Sequence, residues 1–247
     1  MKTRLDKLLV ERGFAPSRER AQALILAGKV LCNEQKLEKP GTNVPADASI
    51  RLLGEDLKYV GRGGLKLERA LEHWKISVRD RVCMDVGAST GGFTDCLLQQ
   101  GAARVIAVDT GYGQLDARLR QDPRVKLLER TNARYLEPAA LGDQRPSLVT
   151  IDVSFISATL VLPAVKRVAA ADEQGRLEFV VLVKPQFEAG RGKVGKGGIV
   201  RDPQVQAAAV ERVKLALTEL QARTMDVIES PILGAEGNRE FLLYATF

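Results

Sequence analysis

The sequence has few of the residues that build metal centres and disulfide frameworks. Among its 247 residues are three cysteines and one histidine. The cysteine count is odd and no C-x-x-C pair occurs, so neither a zinc site nor a disulfide framework is expected. No apolar run approaches the roughly 20 residues of a membrane-spanning helix. The N-terminal stretch MKTRLDKLLVERG is charged throughout, unlike a secretion signal. We therefore expect a cytoplasmic protein that holds no metal and enters no membrane.

The chain carries a net charge of +6, and most of the excess lies near its N-terminus. Residues 1–33 hold seven basic and three acidic groups, a net charge of +4. Leucines at helical spacing before Gly13, and the N-cap candidate Ser17, predict two short helices. Two short β segments, 29–32 and 49–53, are predicted to follow. The basic residues that would cluster on the helix pair are Arg4, Lys7, Arg18 and Arg20. From the pattern alone this cluster is equally a solvated face or a surface for a polyanion.

The same segment carries a longer motif. Its R-L-D-x-L-L, followed by S-R-x-x-A-x-x-L-I-x-x-G-x-V, resembles the RNA-binding domain named after the fourth small-subunit ribosomal protein, here called the S-four domain. The resemblance implies that the helix pair docks on structured RNA through phosphate contacts, which position the protein rather than read sequence. We predict a small α+β domain of this type over residues 1–57 and a linker, rich in glycine and charge, over 58–63.

From residue 64 onward, strand-like and helix-like segments alternate. The predicted elements are strand 81–87, helix 91–100, strand 103–108, a short helix near 115–120, strands 125–129 and 147–153, helix 156–170, strand 178–184, helix 203–222, and strands near 224–229 and 240–247. This rhythm predicts an α/β domain over residues 64–247, with a mostly parallel sheet covered by helices on both faces.

A glycine-rich turn follows the first strand of this domain, in D-V-G-A-S-T-G-G-F from Asp85 to Phe93. Glycines let the backbone approach a ligand where a Cβ would collide. Asp109 ends the next strand, at about the spacing where a carboxylate binds a ribose diol. An ordinary tight turn, a dinucleotide site and an S-adenosylmethionine site all fit this pattern. The dinucleotide fingerprint would need glycine in place of Ser89 and a second βαβ half, which the chain lacks.

The motif D-x-G-A-x-x-G-G-[FW] resembles the first motif of class I methyltransferases, closest to the ribose methyltransferase group typified by FtsJ. The resemblance implies a Rossmann-like seven-stranded sheet and S-adenosylmethionine as cofactor. It implies that the turn contacts the methionine end and that Asp109 holds the ribose. Asn132 stands where that group usually has an aspartate touching adenine. The implied cofactor residues are Asp85, Gly87, Ala88, Ser89, Gly91, Gly92, Phe93, Asp109, Asn132 and Asp152.

Four charged residues stand at the ends of predicted elements: Lys66, Asp152, Lys184 and Glu240. A ribose 2′-hydroxyl is a poor nucleophile, so a site that methylates it must remove its proton and align it. A lysine can act as base when burial and a second cation lower its pKa. Taken singly, each of the four could be an ordinary surface or cap residue. Together they resemble the K-D-K-E tetrad of that methyltransferase group, and we predict Lys184 as the base, Lys66 as the second cation and the carboxylates as groups that orient the amines.

The whole chain resembles the TlyA/hemolysin A family in V-G-R-G-G-L-K-L, I-D-V-S-F-I-S, L-V-K-P-Q-F-E and K-G-G-I-V-R-D-P. That resemblance implies 2′-O-methylation of cytidine in ribosomal RNA of one or both subunits. The sequence leaves open whether the substrate is free RNA or an assembled subunit, and we expect the enzyme to be a monomer. The loop 190–201 is rich in glycine and cations, and we predict that it grips phosphates beside Lys184. Further predicted RNA-binding residues are Arg62, Arg191, Lys193 and Lys196.

Three other functions are alternatives to an RNA ribose methyltransferase. A non-catalytic RNA-binding or ribosome-assembly protein would be favoured by a broken glycine turn or an incomplete tetrad, and neither is seen. A small-molecule or protein methyltransferase would be favoured by an N-P-P-Y-type motif where the chain has D-V-S-F. A membrane-active hemolysin would need an apolar segment that the sequence does not offer.

Overall fold

A computed structural model describes residues 2–15, 17–53, 58–190, 192–234 and 237–247. The chain divides into two compact units, Met1–Asp56 and Leu57–Phe247. Each unit has its own hydrophobic core, and each is treated separately below.

The N-terminal unit is a pair of helices that feeds two small sheets. Its elements are β1 (Lys2–Arg4), α1 (Leu5–Glu11), α2 (Arg18–Leu26), β2 (Val30–Cys32), β3 (Gln35–Lys36), β4 (Asn43–Pro45) and β5 (Ile50–Leu52). Strand β1 pairs with β4, while β2 lies between β3 and β5. The Ser17 hydroxyl accepts a hydrogen bond from the Arg20 backbone N–H at 3.2 Å, which caps α2. The helices were expected; β1, β3 and β4 were not, because strands of two or three residues carry too little periodicity to be recognised.

The second unit is built on a seven-stranded sheet. Its strands are β6 (Val82–Val86), β7 (Arg104–Val108), β8 (Val125–Leu128), β9 (Leu148–Ile151), β10 (Glu178–Val183), β11 (Thr224–Glu229) and β12 (Phe241–Thr246), arranged in the order β11-β12-β10-β9-β6-β7-β8. Strands β6 to β10 pair in parallel, whereas β12 runs antiparallel to both of its neighbours. The prediction of a mostly parallel α/β sheet is confirmed.

Hydrophobic side chains cover both faces of this sheet. Along β6, Met84 and Val86 belong to one core cluster, while Cys83 belongs to the other. Successive residues of a strand point to opposite faces, so the nearly continuous apolar run of each central strand supplies two cores.

Helices flank the sheet on both sides. They are α3 (Gly63–His73), α4 (Gly92–Gln99), α5 (Ala117–Gln121), α6 (Pro138–Leu141), α7 (Leu162–Val168), α8 (Pro185–Glu188) and α9 (Pro203–Glu219). The expected helix 156–170 is wrong in extent, because Ala158–Leu160 forms a separate 3₁₀ turn and α7 begins only at Leu162. Pro163 lies in the first turn of α7, where a missing N–H costs nothing. It therefore marks a helix start rather than a helix interior.

The segment expected to act as a linker is part of the second unit. Tyr59 is 2% exposed and donates a 3.0 Å hydrogen bond to Glu68 Oε1. The Val60 N–H donates to Asp95 Oδ2 at 2.8 Å. The apolar residues between the charges thus anchor the entry to α3. Among the helices described, none is long and apolar enough to cross a membrane.

Candidate active site

Strands β6 and β9 end side by side, and the glycine turn after β6 rests on the end of β9. Gly87 has φ +89°, and a Cβ there would overlap the carbonyl oxygen of Asp152. The Asp152 N–H donates to the carbonyl of Val86 at 2.8 Å, which holds the two strand ends together. Glycine is therefore required at position 87 both by its backbone angle and by the space.

Two adjoining cavities lie at this edge of the sheet, with volumes of about 220 and 410 Å³. They share Gly87, Ser89 and Asp152. The first is bounded by residues 61–63 and Lys66, by residues 87–90, 92 and 93 of the glycine turn and the start of α4, and by residues 232–234. The second is bounded by the end of β7 with Asp109, by Asn132, and by residues 152–156. The predicted turn, strand-end acid and asparagine thus border one continuous cleft, where ligands of open α/β sheets bind.

Asp109 and Asn132 both line the second cavity. The Asp109 carboxylate accepts backbone N–H bonds from Ser89 at 2.7 Å and Gly111 at 2.6 Å. A carboxylate offers about four acceptor positions, so oxygen lone pairs remain for a ligand. Asn132 Oδ1 accepts from the backbone N–H of Arg134 at 3.1 Å, which fixes the side chain at the cavity wall.

Among the predicted cofactor residues of the glycine turn, Gly91 and Asp85 line neither cavity. Gly91 lies against the side chains of Leu115 and Leu119, whereas Asp85 lies within β6. Its side chain is fully buried and accepts a 2.6 Å hydrogen bond from Thr94 Oγ1. Burial, together with the nearby Asp152 charge, raises the pKa of Asp85 to about 7 despite the opposing hydrogen bonds from Thr94 and Thr150. Asp85 thus links β6 to Thr94 of α4 and to Thr150 of β9 and does not face the cleft.

Lys66 and Glu240 form one buried ion pair of the predicted tetrad. Lys66 projects from α3, and Glu240 immediately precedes β12, which brings them together across 174 positions of sequence. Gly234 makes room for this carboxylate, because a Cβ there would overlap Glu240 Oε1. Lys66 also lines the first cavity.

Lys184 and Asp152 form the second pair. The Lys184 ammonium lies 2.6 Å from Asp152 Oδ1 and donates a hydrogen bond to Ser154 Oγ at 2.8 Å. The ammonium approaches Oδ1 at an angle outside hydrogen-bonding geometry, so this buried oxygen lies beside a charge but has no hydrogen-bond donor among the described residues. The four residues therefore meet as two lysine–carboxylate pairs, an arrangement in which each carboxylate orients one amine.

The predicted RNA-binding residues lie in several places. Arg62 borders the first cavity, and Lys193 is exposed in the loop after α8. Arg191 and the side chain of Lys196 fall outside the described part of the structure. In the N-terminal unit Lys7 is exposed and Arg20 half-buried, while Arg4 and Arg18 both bond to Asp6.

Sequence reasoning missed several residues at the cleft. Residues 232–234 line the first cavity, and their Ser-Pro-Ile-Leu-Gly context signals only a loop. Phe155 lines the second cavity, is 92% exposed and has φ +65°. An exposed phenylalanine held in the left-handed region is uncommon, and such strain clusters at functional sites. The D-V-S-F motif contains this phenylalanine, but a motif reveals neither the exposure of a side chain nor its backbone angle.

The fold and the cleft define a class of protein. A sheet of this strand order with an antiparallel β12, a glycine turn after its first strand and an acid after its second is the architecture of Rossmann-like methyltransferases. Residues 59–247 match the family model described as FtsJ-like methyltransferase, and residues 3–50 match the S4 domain, which is the S-four domain expected above. The chain belongs to the FtsJ-like methyltransferase family.

Several relatives match nearly the whole chain, including both the S4 segment and the methyltransferase segment. The chain is 49% identical to YqxC, a candidate rRNA methyltransferase of Bacillus subtilis, over 98% of this chain and 85% of the relative. It is 48% identical to the 16S/23S rRNA (cytidine-2′-O)-methyltransferase TlyA of Mycobacterium tuberculosis, over 98% of this chain and 89% of the relative. The structure of a candidate hemolysin from Streptococcus thermophilus superposes with a TM-score of 0.76 at 43% identity, covering 99% of this chain and 88% of the other.

Proposed function

We propose that the chain transfers a methyl group from S-adenosylmethionine to the 2′-hydroxyl of cytidine in ribosomal RNA, acting as a cytoplasmic monomer. The observation that carries the proposal is the pairing of Lys66 with Glu240 and of Lys184 with Asp152 beside one cleft. The name of the mycobacterial relative supplies the substrate, and the D-V-S-F sequence after β9 sets the site apart from amino-group methyltransferases.

The residues present fit S-adenosylmethionine. The second cavity combines an apolar wall, including Val108 and Ala133, with the carboxylate of Asp109, which suits an adenine and its ribose diol. The first cavity is smaller and bordered by the backbone of the glycine turn, which suits the methionine end. When bound there, the sulfonium supplies an electrophilic methyl group.

We assign the proton transfer to the second lysine pair. Lys184 acts as the neutral amine, after its ammonium has given a proton to solvent. Its Nζ then accepts the proton of the 2′-hydroxyl while the hydroxyl oxygen takes the methyl group, and Asp152 stabilises the ammonium that results. Ser154 Oγ, 2.8 Å from the same nitrogen, fixes the direction of the amine. Lys66, held by Glu240, lies at the first cavity and positions the ribose by hydrogen bonding.

Substrate recognition is assigned to two regions. In the N-terminal unit Arg4, Arg18 and Arg20 contact phosphates. At the cleft, the exposed ring of Phe155 offers a stacking surface for a base that has left its helix, the usual mode of single-stranded RNA recognition.

Mapping 2′-O-methyl groups on ribosomal RNA from cells with and without the gene tests the proposal. The expected result is at least one cytidine whose ribose methylation disappears with the gene and returns when purified protein and S-adenosylmethionine are added to that RNA. An unchanged methylation map, with RNA binding retained, would instead identify a non-catalytic RNA-binding protein.

A further inference from the structure

Asp6 is a buried carboxylate that holds two arginines from different elements. Arg4 donates to it from Nε at 3.0 Å and from Nη2 at 2.8 Å, a bidentate contact. Arg18 donates from Nε to Oδ2 at 2.9 Å, the same oxygen that accepts from Arg4 Nη2. Gln22 and the backbone N–H of Lys7 complete the set at 3.0 and 2.9 Å. Both guanidinium groups therefore converge on one fixed carboxylate.

The exposure of the three side chains is uneven. The Asp6 side chain is fully buried, whereas those of Arg4 and Arg18 are 41% and 47% exposed. These contacts engage Nε and Nη2 of Arg4 but only Nε of Arg18, so Nη hydrogens of both remain directed away from the carboxylate. The hydrogen bond from Arg4, followed by those from Gln22 and Arg18, holds the pKa of Asp6 well below its usual range despite burial.

Stability alone is a weak reason for this arrangement. Burial removes the carboxylate from water, and the free energy of its ion pairs only roughly offsets that loss of hydration. An apolar residue of similar size is often as stabilising. Two arginines facing one negative charge leave a net positive charge at the surface. Guanidinium groups held in fixed orientation suit phosphate oxygens, which they can bond in pairs.

We propose that Asp6 is the positioning residue of a two-arginine phosphate clamp, formed by Arg4 and Arg18, that binds the RNA backbone. The clamp rests on the proposed function, since RNA is its partner. Asp6 itself contacts no RNA. It orders both guanidinium groups before binding, so less side-chain entropy is lost when the phosphate arrives.

The sharpest test is Asp6→Asn, because charge and positioning predict opposite results. The substitution adds one positive charge, which by electrostatics alone tightens RNA binding. The new amide nitrogen is a donor, however. In place of Oδ2 it cannot accept from Arg4 Nη2 or Arg18 Nε, and in place of Oδ1 it cannot accept from Arg4 Nε, so either orientation disorders the clamp. We expect the affinity of the full-length protein for transcribed ribosomal RNA to fall about tenfold, the equivalent of ~1.4 kcal/mol. The log–log salt dependence should flatten by about 0.7–0.9 per lost contact.

Glu11→Gln is the matched control. Glu11 is an exposed acid of the same unit, at the end of α1, and its loss adds the same charge without touching the clamp. We expect unchanged or tighter RNA binding for this variant. In an Arg4→Ala/Arg18→Ala background, Asp6→Asn should lose most of its effect, a coupling that a general structural defect would not show.

The outcomes separate the clamp from the proposed function. If folded Asp6→Asn binds RNA as tightly as the wild type or more tightly, while Arg4→Ala and Arg18→Ala weaken binding, the clamp is wrong and the RNA surface stands. If neither arginine variant weakens binding, the RNA-binding role of the helix pair itself fails. Should Asp6→Asn not fold, Arg18→Lys keeps the charge and removes the Nε bond. Undiminished affinity in that variant would also overturn the clamp.

Discussion

Two carboxylates beside the glycine turn differ in environment, and the difference decides which of them can bind a ligand. Asp109 lines the second cavity and is fixed by two backbone N–H groups. Asp85 lies beneath the turn, fully buried and bonded to Thr94. In the sequence both are simply acids near strand ends. Their separate roles depend on position along the strands, because Asp85 lies within β6 whereas Asp109 lies one residue beyond the end of β7.

Asp109→Ala should weaken the binding of S-adenosylmethionine. The substitution removes charge-assisted hydrogen bonds to the ribose diol, worth ~1.5–3 kcal/mol, so the dissociation constant should rise about ten- to a hundredfold. Isothermal titration calorimetry on the purified protein measures the change. Asp116→Ala is the control, since Asp116 caps α5 and does not border the cleft. Equal affinities in the two variants would remove Asp109 from the cofactor site.

Asp85→Asn should stabilise the protein more at pH 8 than at pH 5. The folded pKa is raised to about 7 from an ordinary value of 3.8, so the folded state holds its proton where the unfolded state has lost it. Ionised Asp85 therefore costs stability that grows as the pH rises from about 4 to about 7 and is fully present above that. Asparagine keeps an acceptor for Thr94 and carries no charge.

The quantity to measure is the difference in melting temperature between variant and wild type at the two pH values. Other titrating groups largely cancel in that difference. If the variant differs from the wild type by the same melting-temperature shift at pH 5 and at pH 8, then the charge of Asp85 does not change between these two pH values.

At the scale of elements, long periodic segments could be predicted and short ones could not. Strands such as β6 and β10 are apolar runs ended by functional residues, and they lie close to where the pattern placed them. The two- and three-residue strands of the N-terminal unit are held by pairing partners distant in sequence. The ion pair of Lys66 with Glu240 depends on the packing of α3 beside β12, which local periodicity does not specify.

Gly87→Ala tests the contact between two strand ends. The new Cβ would overlap the Asp152 carbonyl, so the turn or the end of β9 must shift, and both the unfolding free energy and cofactor affinity should fall. Gly113→Ala is the matched control, because Gly113 also has a positive φ, +70°, with no atom within 4 Å of its added Cβ. The control should lose only about 1 kcal/mol, from the backbone alone.

Chemical denaturation of both variants gives the comparison. We expect Gly87→Ala to lose at least ~2 kcal/mol more than Gly113→Ala, as overpacking against backbone requires. Equal losses would mean that the β6 turn and β9 are not held as tightly as the geometry indicates.

At the scale of the whole molecule, the two units carry different features. The N-terminal unit presents arginines ordered by a buried acid, and the second unit carries the cleft and the two lysine–carboxylate pairs. The motifs predicted that the glycine turn, Asp109 and Asn132 lie at the cleft, and they singled out the four residues that meet as two lysine–carboxylate pairs. The roles of these residues stay predictions. The motifs did not predict Asp6 as the centre of an arginine pair or Phe155 as an exposed ring at the cleft, because these features arise from burial and backbone conformation.

The central claim is that this chain methylates a ribose with Lys184 as the base. Single-turnover transfer of labelled methyl groups to ribosomal RNA measures it directly, with cofactor and RNA binding followed in parallel. Lys184→Ala should slow transfer about 10²–10⁴-fold while both binding constants stay near wild type. Lys184→Arg should also fail, because a guanidinium does not give up its proton near neutral pH. If Lys184→Ala retains more than about a tenth of the wild-type rate, Lys184 is not the base, since loss of a general base costs more than that.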